Sequence, residues 1–499
     1  MNKTIFSSSY LGANSFLVEV EIDISSGIPF FSIIGLGDTA IAESRHRIRT
    51  ALKNSDFKLP PKKIIVNLSP AGIKKEGAHF DLPIAVGIMN TMGFIKDRYE
   101  ILKNYLFIGE LSLSGKIKPV RGAINSVIFA KEKGFKGVVL PYSNFQEASL
   151  IKNIDIIPVS TLQEVATFIS TNEISKPPLQ NFNITQNFHI DFSDVKGQNF
   201  AKRALEIAAA GKHNIILIGS PGCGKTMLCK RFETILPPLD EKEMIEVTKI
   251  HSIAGELSPS TPIVTNPPFR APHHTSTLTS IIGGGYKIMP GEIALASNGV
   301  LFLDEIGEFS KIVLESLRQP LEDKFISISR TRYKVDFKSD FILIATANPC
   351  PCGFYYEGSK CTCSQYEINR YQKKFSGPIM DRIDIHIEMK KLDEIELTQL
   401  AQGESSKSIR NRVINARNIQ KKRFKDTRCN GDMTEMEIEK YCTLSKEDKD
   451  FFRQAIKVMG ISARGYSKIL KISRTIADLE SSINIEKKHL LEALSFREK

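Results

Sequence analysis

Residues 214–232 read NIILIGSPGCGKTMLCKRF, and the order of residue types in this stretch decides the fold. The aliphatic run at 215–218 is followed directly by Gly219-Ser220-Pro221-Gly222-Cys223-Gly224-Lys225-Thr226, and then by a helix-like segment. Strand, glycine loop and helix in this order fit the Gly-x4-Gly-Lys-Thr phosphate-loop pattern. Its glycines let the backbone wrap a polyphosphate with N–H groups pointing inward, and the following helix presents its positive end to the same anion. On this pattern Lys225 reaches the β- and γ-phosphates of ATP, and the Thr226 hydroxyl ligates Mg2+.

Two further strands supply what a phosphate loop needs. GVLFLDEIGEF (299–309) is an apolar strand ending in Asp304-Glu305. A carboxylate at such a strand end can hold the Mg2+ shell, and its neighbour can polarise a water for attack on the γ-phosphate. FILIATA (341–347) leads into Asn348, placed to hydrogen-bond the γ-phosphate and orient that water, though an asparagine before Pro349 also suits a plain turn. Together these residues point to ATP hydrolysis.

Working outward, helix, strand and glycine loop from about residue 190 to 395 signal a nucleotide-binding α/β domain. The preceding 171–189 is polar, carries Pro177 and Pro178, and reads as a linker. Before it, residues 1–170 alternate strands and helices, an α+β or α/β module. SFLVEVEIDI (15–24) and KKIIVNLSP (62–70) read as strands and DLPIAVGIMNTMGF (81–94) as a helix. LFIGELSLSGKIKPV (106–120) reads as a hairpin turning at Ser114-Gly115, and INSVIFAKEKGFKGVVLP (124–141) as helix then strand. Residues 396–499 are helical and strongly charged.

A chain of 499 residues suggests about two to four domains. Its 41% hydrophobic and 25% charged content is that of a soluble globular protein. No apolar run approaches the roughly 18 to 20 residues of a membrane helix, and the amino terminus has no secretory h-region, so a cytoplasmic location without membrane attachment is expected. The net charge of +12 hints at a polyanionic partner.

Cys350, Cys352, Cys361 and Cys363 form two Cys-x-Cys pairs just after Asn348. Four soft ligands favour a tetrahedral, structural Zn2+ with no open position. The one-residue gap is tighter than the usual Cys-x2–4-Cys, and a thiol-rich loop without metal is the alternative.

The phosphate loop, GVLFLDEIGEF, ATANPCPCGF (345–354), SGPIMDRIDIHIE (376–388) and ISARGYSKILKISRTIADLE (461–480) together resemble the magnesium-chelatase-like AAA+ ATPases of the ComM/YifB competence type, in order from near residue 1 to residue 494. The resemblance implies an AAA+ P-loop core, a Lon-protease-like (ribosomal S5 domain 2-like) first domain and a carboxyl-terminal helical lid. It implies a homo-hexameric ring ATPase, a DNA helicase or translocase that promotes branch migration during recombination in natural transformation. Lys225, Thr226, Asp304, Glu305 and Asn348 keep their roles. Arg382 stands where related motors place an arginine finger that completes a neighbour's site; a salt bridge to Asp381 or Asp384 is the plainer alternative. Arg464 resembles the second sensor arginine, with an ordinary surface arginine as its rival.

The resemblance also places a channel-facing insertion within RAPHHTSTLTSIIGGGYKIMPGEIALASNG (270–299), whose glycines suggest a mobile loop rather than a packed element. His273 and His274 lack ligand-spaced partners there and read as structural or DNA-contacting. DKFISISRTRYKVDF (323–337) has the pattern of a hairpin with a basic tip. Arg330, Arg332 and Lys334 there can grip DNA phosphates without reading bases, or form a solvated charged turn. KSIRNRVINARNIQKKRFKD (407–426) is a basic helix that suits phosphates, solvent or a subunit contact. In the first domain His79 and Ile124 occupy the places of the Lon serine and lysine, so no peptidase chemistry is expected, and ESRHRIRTALK (43–53) is basic enough for a DNA platform. The rival class is a protein-remodelling ATPase of the chelatase type; an ATP-dependent protease would need the missing pair.

Overall fold

The computed structural model describes residues 4–35, 37–75, 77–173, 188–285, 288–330, 333–375, 379–391 and 403–497. Most of the 171–189 stretch, residues 174–187, lies outside them.

The period-two segments of the first domain pair as strands β1 (Thr4–Leu11), β2 (Asn14–Ser25), β3 (Phe30–Ile34), β4 (Lys63–Ser69) and β5 (Tyr105–Phe107). After β5 come the short hairpin β6 (Glu110–Leu111) and β7 (Ile117–Lys118), then β8 (Gly137–Pro141) and β9 (Asp155–Val159). The main sheet has seven strands in the order β3-β4-β2-β1-β5-β8-β9. The expected long hairpin over 106–120 is therefore divided: β5 joins the main sheet in parallel with β1 and β8, and only two residues on each side of the Ser114-Gly115 turn pair. The buried helix Asp81–Thr91 covers one face and Ala123–Glu132 the other.

The second domain is built on β10 (Ile215–Gly219), β11 (Phe269–Arg270), the small pair β12 (Gly283–Gly284) and β13 (Met289–Pro290), and β14 (Val300–Leu303). The hairpin β15 (Phe325–Arg330) and β16 (Tyr333–Lys338) follows, then β17 (Ile342–Ala347) and β18 (Ile385–Met389). Five of these strands form an all-parallel sheet in the order β11-β14-β17-β10-β18. Its inner strands β14, β17 and β10 are apolar but for Thr346 because both faces are covered, whereas the edge strands β11 and β18 carry Arg270, His386 and Glu388. Ile215, Leu217, Phe302 and Ile344 face one core, and Ile216, Leu301, Leu343 and Ala345 the other. The chain runs from β10 outward and returns to both flanks of β10, so the crevice at the carboxyl ends of β10, β14 and β17 is the natural ligand position.

The carboxyl-terminal helices Ser406–Phe424, Ala463–Leu479 and Lys487–Ser495 pack on the helix Asn199–Gly211 and close the first of those cores. The 270–299 stretch is not the loose loop its glycines suggest. Among its described residues are the helices Leu278–Ile282 and Glu292–Leu295 and the β12–β13 pair, because Ile281, Ile293, Ala294 and Leu295 are buried in the second core. Each large side chain there contributes roughly 1.5–3 kcal/mol by leaving water, enough to outweigh the entropy of a few glycines.

The two domains touch through polar and apolar contacts. Gly12, at φ +59 in the β1–β2 turn, lies so close to Val335 of β16 that a Cβ would stand 1.8 Å from Val335 Cγ1. Glu147 accepts a hydrogen bond from Ser252 Oγ at 2.6 Å, and Lys152 pairs with Glu241 at 2.5 Å.

Candidate nucleotide site

Strand register brings the candidate residues together. Leu303 lies opposite Ala345, and Ile218 opposite Ala347. One residue further on, Asp304 therefore faces Thr346 and Gly219 faces Asn348. Lys225 heads the helix Lys225–Arg231 and is 8% exposed. Its Nζ donates to the carbonyl of Gly219 at 2.5 Å, to that of Ser220 at 3.0 Å and to Asn348 Oδ1 at 3.2 Å. Thr226 Oγ1 donates to both oxygens of Asp304 at 3.1 Å. A hydroxyl and a carboxylate in that contact can share one divalent cation. Gly222 (φ +79) and Gly224 (φ +91) have open space where a Cβ would point, leaving the loop's N–H groups accessible to phosphate. Glu305 is exposed and sits at φ +54.

Thr346 was missed by sequence reading. Fully buried on β17, it donates to Asp304 Oδ1 at 2.6 Å and accepts from the Glu305 N–H at 2.9 Å, so one hydroxyl fixes both acids. The available signal was a polar residue inside FILIATA on the same strand face as Asn348. Tyr371 and Gln372 were missed as well. Gln372 Nε2 donates to the Pro349 carbonyl at 3.2 Å, and burial pushes the Tyr371 hydroxyl up to about 12.

The four cysteines converge. Their Sγ atoms all lie within 4.8 Å of one another, with Cys350–Cys352 at 3.4 Å, Cys352–Cys361 at 3.7 Å and Cys350–Cys361 at 3.8 Å. A tetrahedron of thiolates about 2.3 Å from a zinc ion has edges of about 3.8 Å, so the donor set fits that ion. A backbone hydrogen bond from Phe354 holds the Cys352 thiol down to about 6, whereas burial pushes Cys350 up to about 12. His273 and His274 belong to no comparable cluster among the described residues; His273 Nδ1 lies 2.8 Å from Thr275 Oγ1.

Arg382 and Arg464 are elsewhere. Asp384 meets Asn214 at the amino ends of β18 and β10, and the Arg382 carbonyl accepts from Asn214 Nδ2 at 3.0 Å. Arg382 thus sits at the opposite end of the sheet from the phosphate loop, roughly 16 Å away along five residues of strand. Its partner is neither Asp381 nor Asp384 but Glu322, at 2.5 Å, because Asp384 is engaged by Asn214, His213 and Lys468. Burial alone would raise Asp384, but His213 and the charge on Lys468 hold it well below the usual carboxylate range. The exposed Arg464 opens on the same cleft of about 370 Å³ as Arg382, with Lys212, Lys324, Lys468 and Lys471. The carboxyl-terminal helices carry Arg464 to this cleft, away from the chain's own phosphate loop.

The remaining basic candidates divide. Lys334 is exposed on β16, while Arg332 and the side chain of Arg330 lie outside the described residues. In the helix Ser406–Phe424 the arginines turn inward: Arg412 pairs with Glu206, Arg417 donates to the Ala209 carbonyl and Arg423 pairs with Asp478. These arginines tie the helix to its own chain, while Lys407, Lys421 and Lys422 remain exposed on it. In the first domain Arg47 is likewise held by the buried Asp81 at 2.9 Å, leaving Arg45 and Arg49 exposed. Burial pushes the His79 imidazole down to about 4, and Ile124 is fully buried, so these two positions offer no nucleophile with its base.

Comparison with known proteins places the whole. Family models described as "Subunit ChlI of Mg-chelatase", "Magnesium chelatase, subunit ChlI" and "Magnesium chelatase, subunit ChlI C-terminal" match residues 20–144, 191–397 and 403–497. Competence protein ComM of Haemophilus influenzae is 40% identical over 502 residues, covering 99% of this chain and 97% of its own length. The chain belongs to the ComM/YifB family of magnesium-chelatase-type AAA+ ATPases. The uncharacterized protein YifB of Salmonella typhimurium, 39% identical, covers 98% of the chain. Over 152 residues, 30% of this chain and 25% of the protease, Lon protease 2 of Bacillus subtilis is 33% identical, in keeping with a Lon-like first domain. Membership of the ComM/YifB family implies ATP hydrolysis with Mg2+. No helix among the described residues is long and apolar enough to cross a membrane.

Proposed function

We propose that this chain is an ATP-driven DNA motor, working as a ring of six copies and promoting branch migration when incoming single strands recombine during natural transformation. In this reading Lys225 and the loop 219–226 hold the triphosphate, Thr226 and Asp304 hold Mg2+, Glu305 activates water and Asn348 orients it. Arg382 and Arg464 reach the nucleotide of the next copy, and the four cysteines hold a structural zinc ion. The protein works in the cytoplasm.

The observation that carries this reading is the division of the site. Phosphate loop and acids lie at one end of the sheet and the two arginines at the other, which supports a reading in which each copy supplies half of what phosphoryl transfer needs. A guanidinium supplied in trans is worth about 10³ to 10⁵ in rate, which ties turnover to assembly. The DNA assignment is supported by the net charge of +12, the exposed Lys334 beside the hairpin tip and the likeness to a competence protein of Haemophilus influenzae. The three matches to chelatase subunits favour the second reading, remodelling of a protein partner.

ATPase rate with and without single-stranded, duplex and branched DNA, across a salt series, separates the two. The motor predicts stimulation that fades as salt rises and is weakened in Lys334→Ala. Indifference to every DNA at low salt refutes it in favour of remodelling.

A further inference from the structure

We propose that the four-cysteine loop is a metal knot whose task is to hold one wall of the triphosphate site, so that nucleotide binding depends on metal occupancy. This rests on the reading of the phosphate loop as the ATP site and extends it to the loop that follows Asn348.

The loop has little else to fold around. Between the two cysteine pairs Tyr355 and Tyr356 are 43% and 45% exposed, and Gly353 and Gly358 take positive φ. No apolar core of its own repays the entropy of ordering it, which a metal bound by four thiolates can do. Yet the loop is tied to the nucleotide site at two points. Cys350 follows by two residues the Asn348 that accepts from Lys225 Nζ. Gly353, at φ +84, approaches Pro221 so closely that a Cβ would lie 2.6 Å from its Cδ and 2.7 Å from its Cγ. Releasing the metal frees Cys350 and Gly353 together, and with them the positions of Asn348 and Pro221.

The test uses the full-length chain. It is stripped with a chelator under reducing conditions and titrated with Co2+, and binding of a fluorescent ATP analogue is followed in stripped and zinc-restored protein. The expected spectrum is tetrahedral cobalt tetrathiolate, saturating at a single ion per chain and lost in Cys361→Ser. The stripped protein binds nucleotide more weakly and recovers with zinc. Gly353→Ala keeps all four thiols and the cobalt spectrum, yet binds nucleotide roughly tenfold to hundredfold more weakly, because its Cβ displaces the phosphate loop. Absence of the cobalt spectrum overturns the metal site. A normal spectrum with unchanged nucleotide binding in both the stripped and Gly353→Ala proteins overturns the coupling. If zinc-loaded wild type binds no nucleotide, the ATP-site reading falls and the coupling with it, leaving the metal site standing.

Discussion

Replacing Thr346 with valine keeps its shape and removes only its hydroxyl. That hydroxyl donates to Asp304 Oδ1 at 2.6 Å and accepts from the Glu305 N–H at 2.9 Å. On the proposed reading these two acids hold the Mg2+ shell and activate the attacking water; Asp304 meets Thr226 at 3.1 Å, but Lys225 Nζ bonds instead to Gly219, Ser220 and Asn348. Loss of a hydrogen bond to a charged group costs about 1.5–3 kcal/mol, and the buried N–H left without its acceptor adds a cost of similar order. The N–H also anchors Glu305 at φ +54, a conformation that a glutamate leaves readily once released. If one such bond is expressed in the transition state, turnover falls about tenfold to hundredfold. Nucleotide affinity changes little, since the contacts of Lys225 are untouched. The assay is steady-state phosphate release at saturating ATP across a Mg2+ series, with Thr346→Ser as the control that restores the hydroxyl. Turnover in Thr346→Val equal to wild type at every Mg2+ concentration would refute the reasoning; so would a serine variant as impaired as the valine, which would trace the effect to packing.

Arg382→Ala and Lys225→Ala should each be inactive, the first still binding ATP, and a mixture of the two should regain turnover because intact half-sites meet across the copies; a mixture as dead as its components would place both residues in one chain's site. Burial pushes the Glu147 carboxyl up to about 7, against hydrogen bonds from Ser252 and Asn144 that pull it down. The folded chain therefore keeps a proton there that the unfolded chain releases above its ordinary value of 4.5, and stability falls by about 3 kcal/mol as pH rises through the window between the two values. Glu147→Gln should flatten that fall, read as the thermal midpoint against pH; an unchanged slope would mean that Glu147 ionises freely.

The residues legible in the sequence are those whose chemistry is local. Gly222 and Gly224 had to be glycines at positive φ, Lys225 and Thr226 had to open the helix, and Asp304 and Asn348 had to end buried strands. Each requirement is satisfied within a few consecutive residues, so spacing alone carries it. The placing of the basic residues was not legible for a related reason. Arg412, Arg417 and Arg423 count as charge in the chain, yet their partners Glu206, Ala209 and Asp478 are remote in sequence, and their bonds turn them toward their own chain.

What the linear order determined was the catalytic strand–loop–helix, the two strand-end acids and the cysteine spacing, because backbone conformation and metal valence act over short range. Tertiary structure alone decided that Thr346 grips both acids, that Arg382 and Arg464 share a cleft at the far end of the sheet, and that Gly353 leans on Pro221. Those contacts follow from the register of parallel strands and the packing of helices on them, where burial is gained between segments that are far apart along the chain.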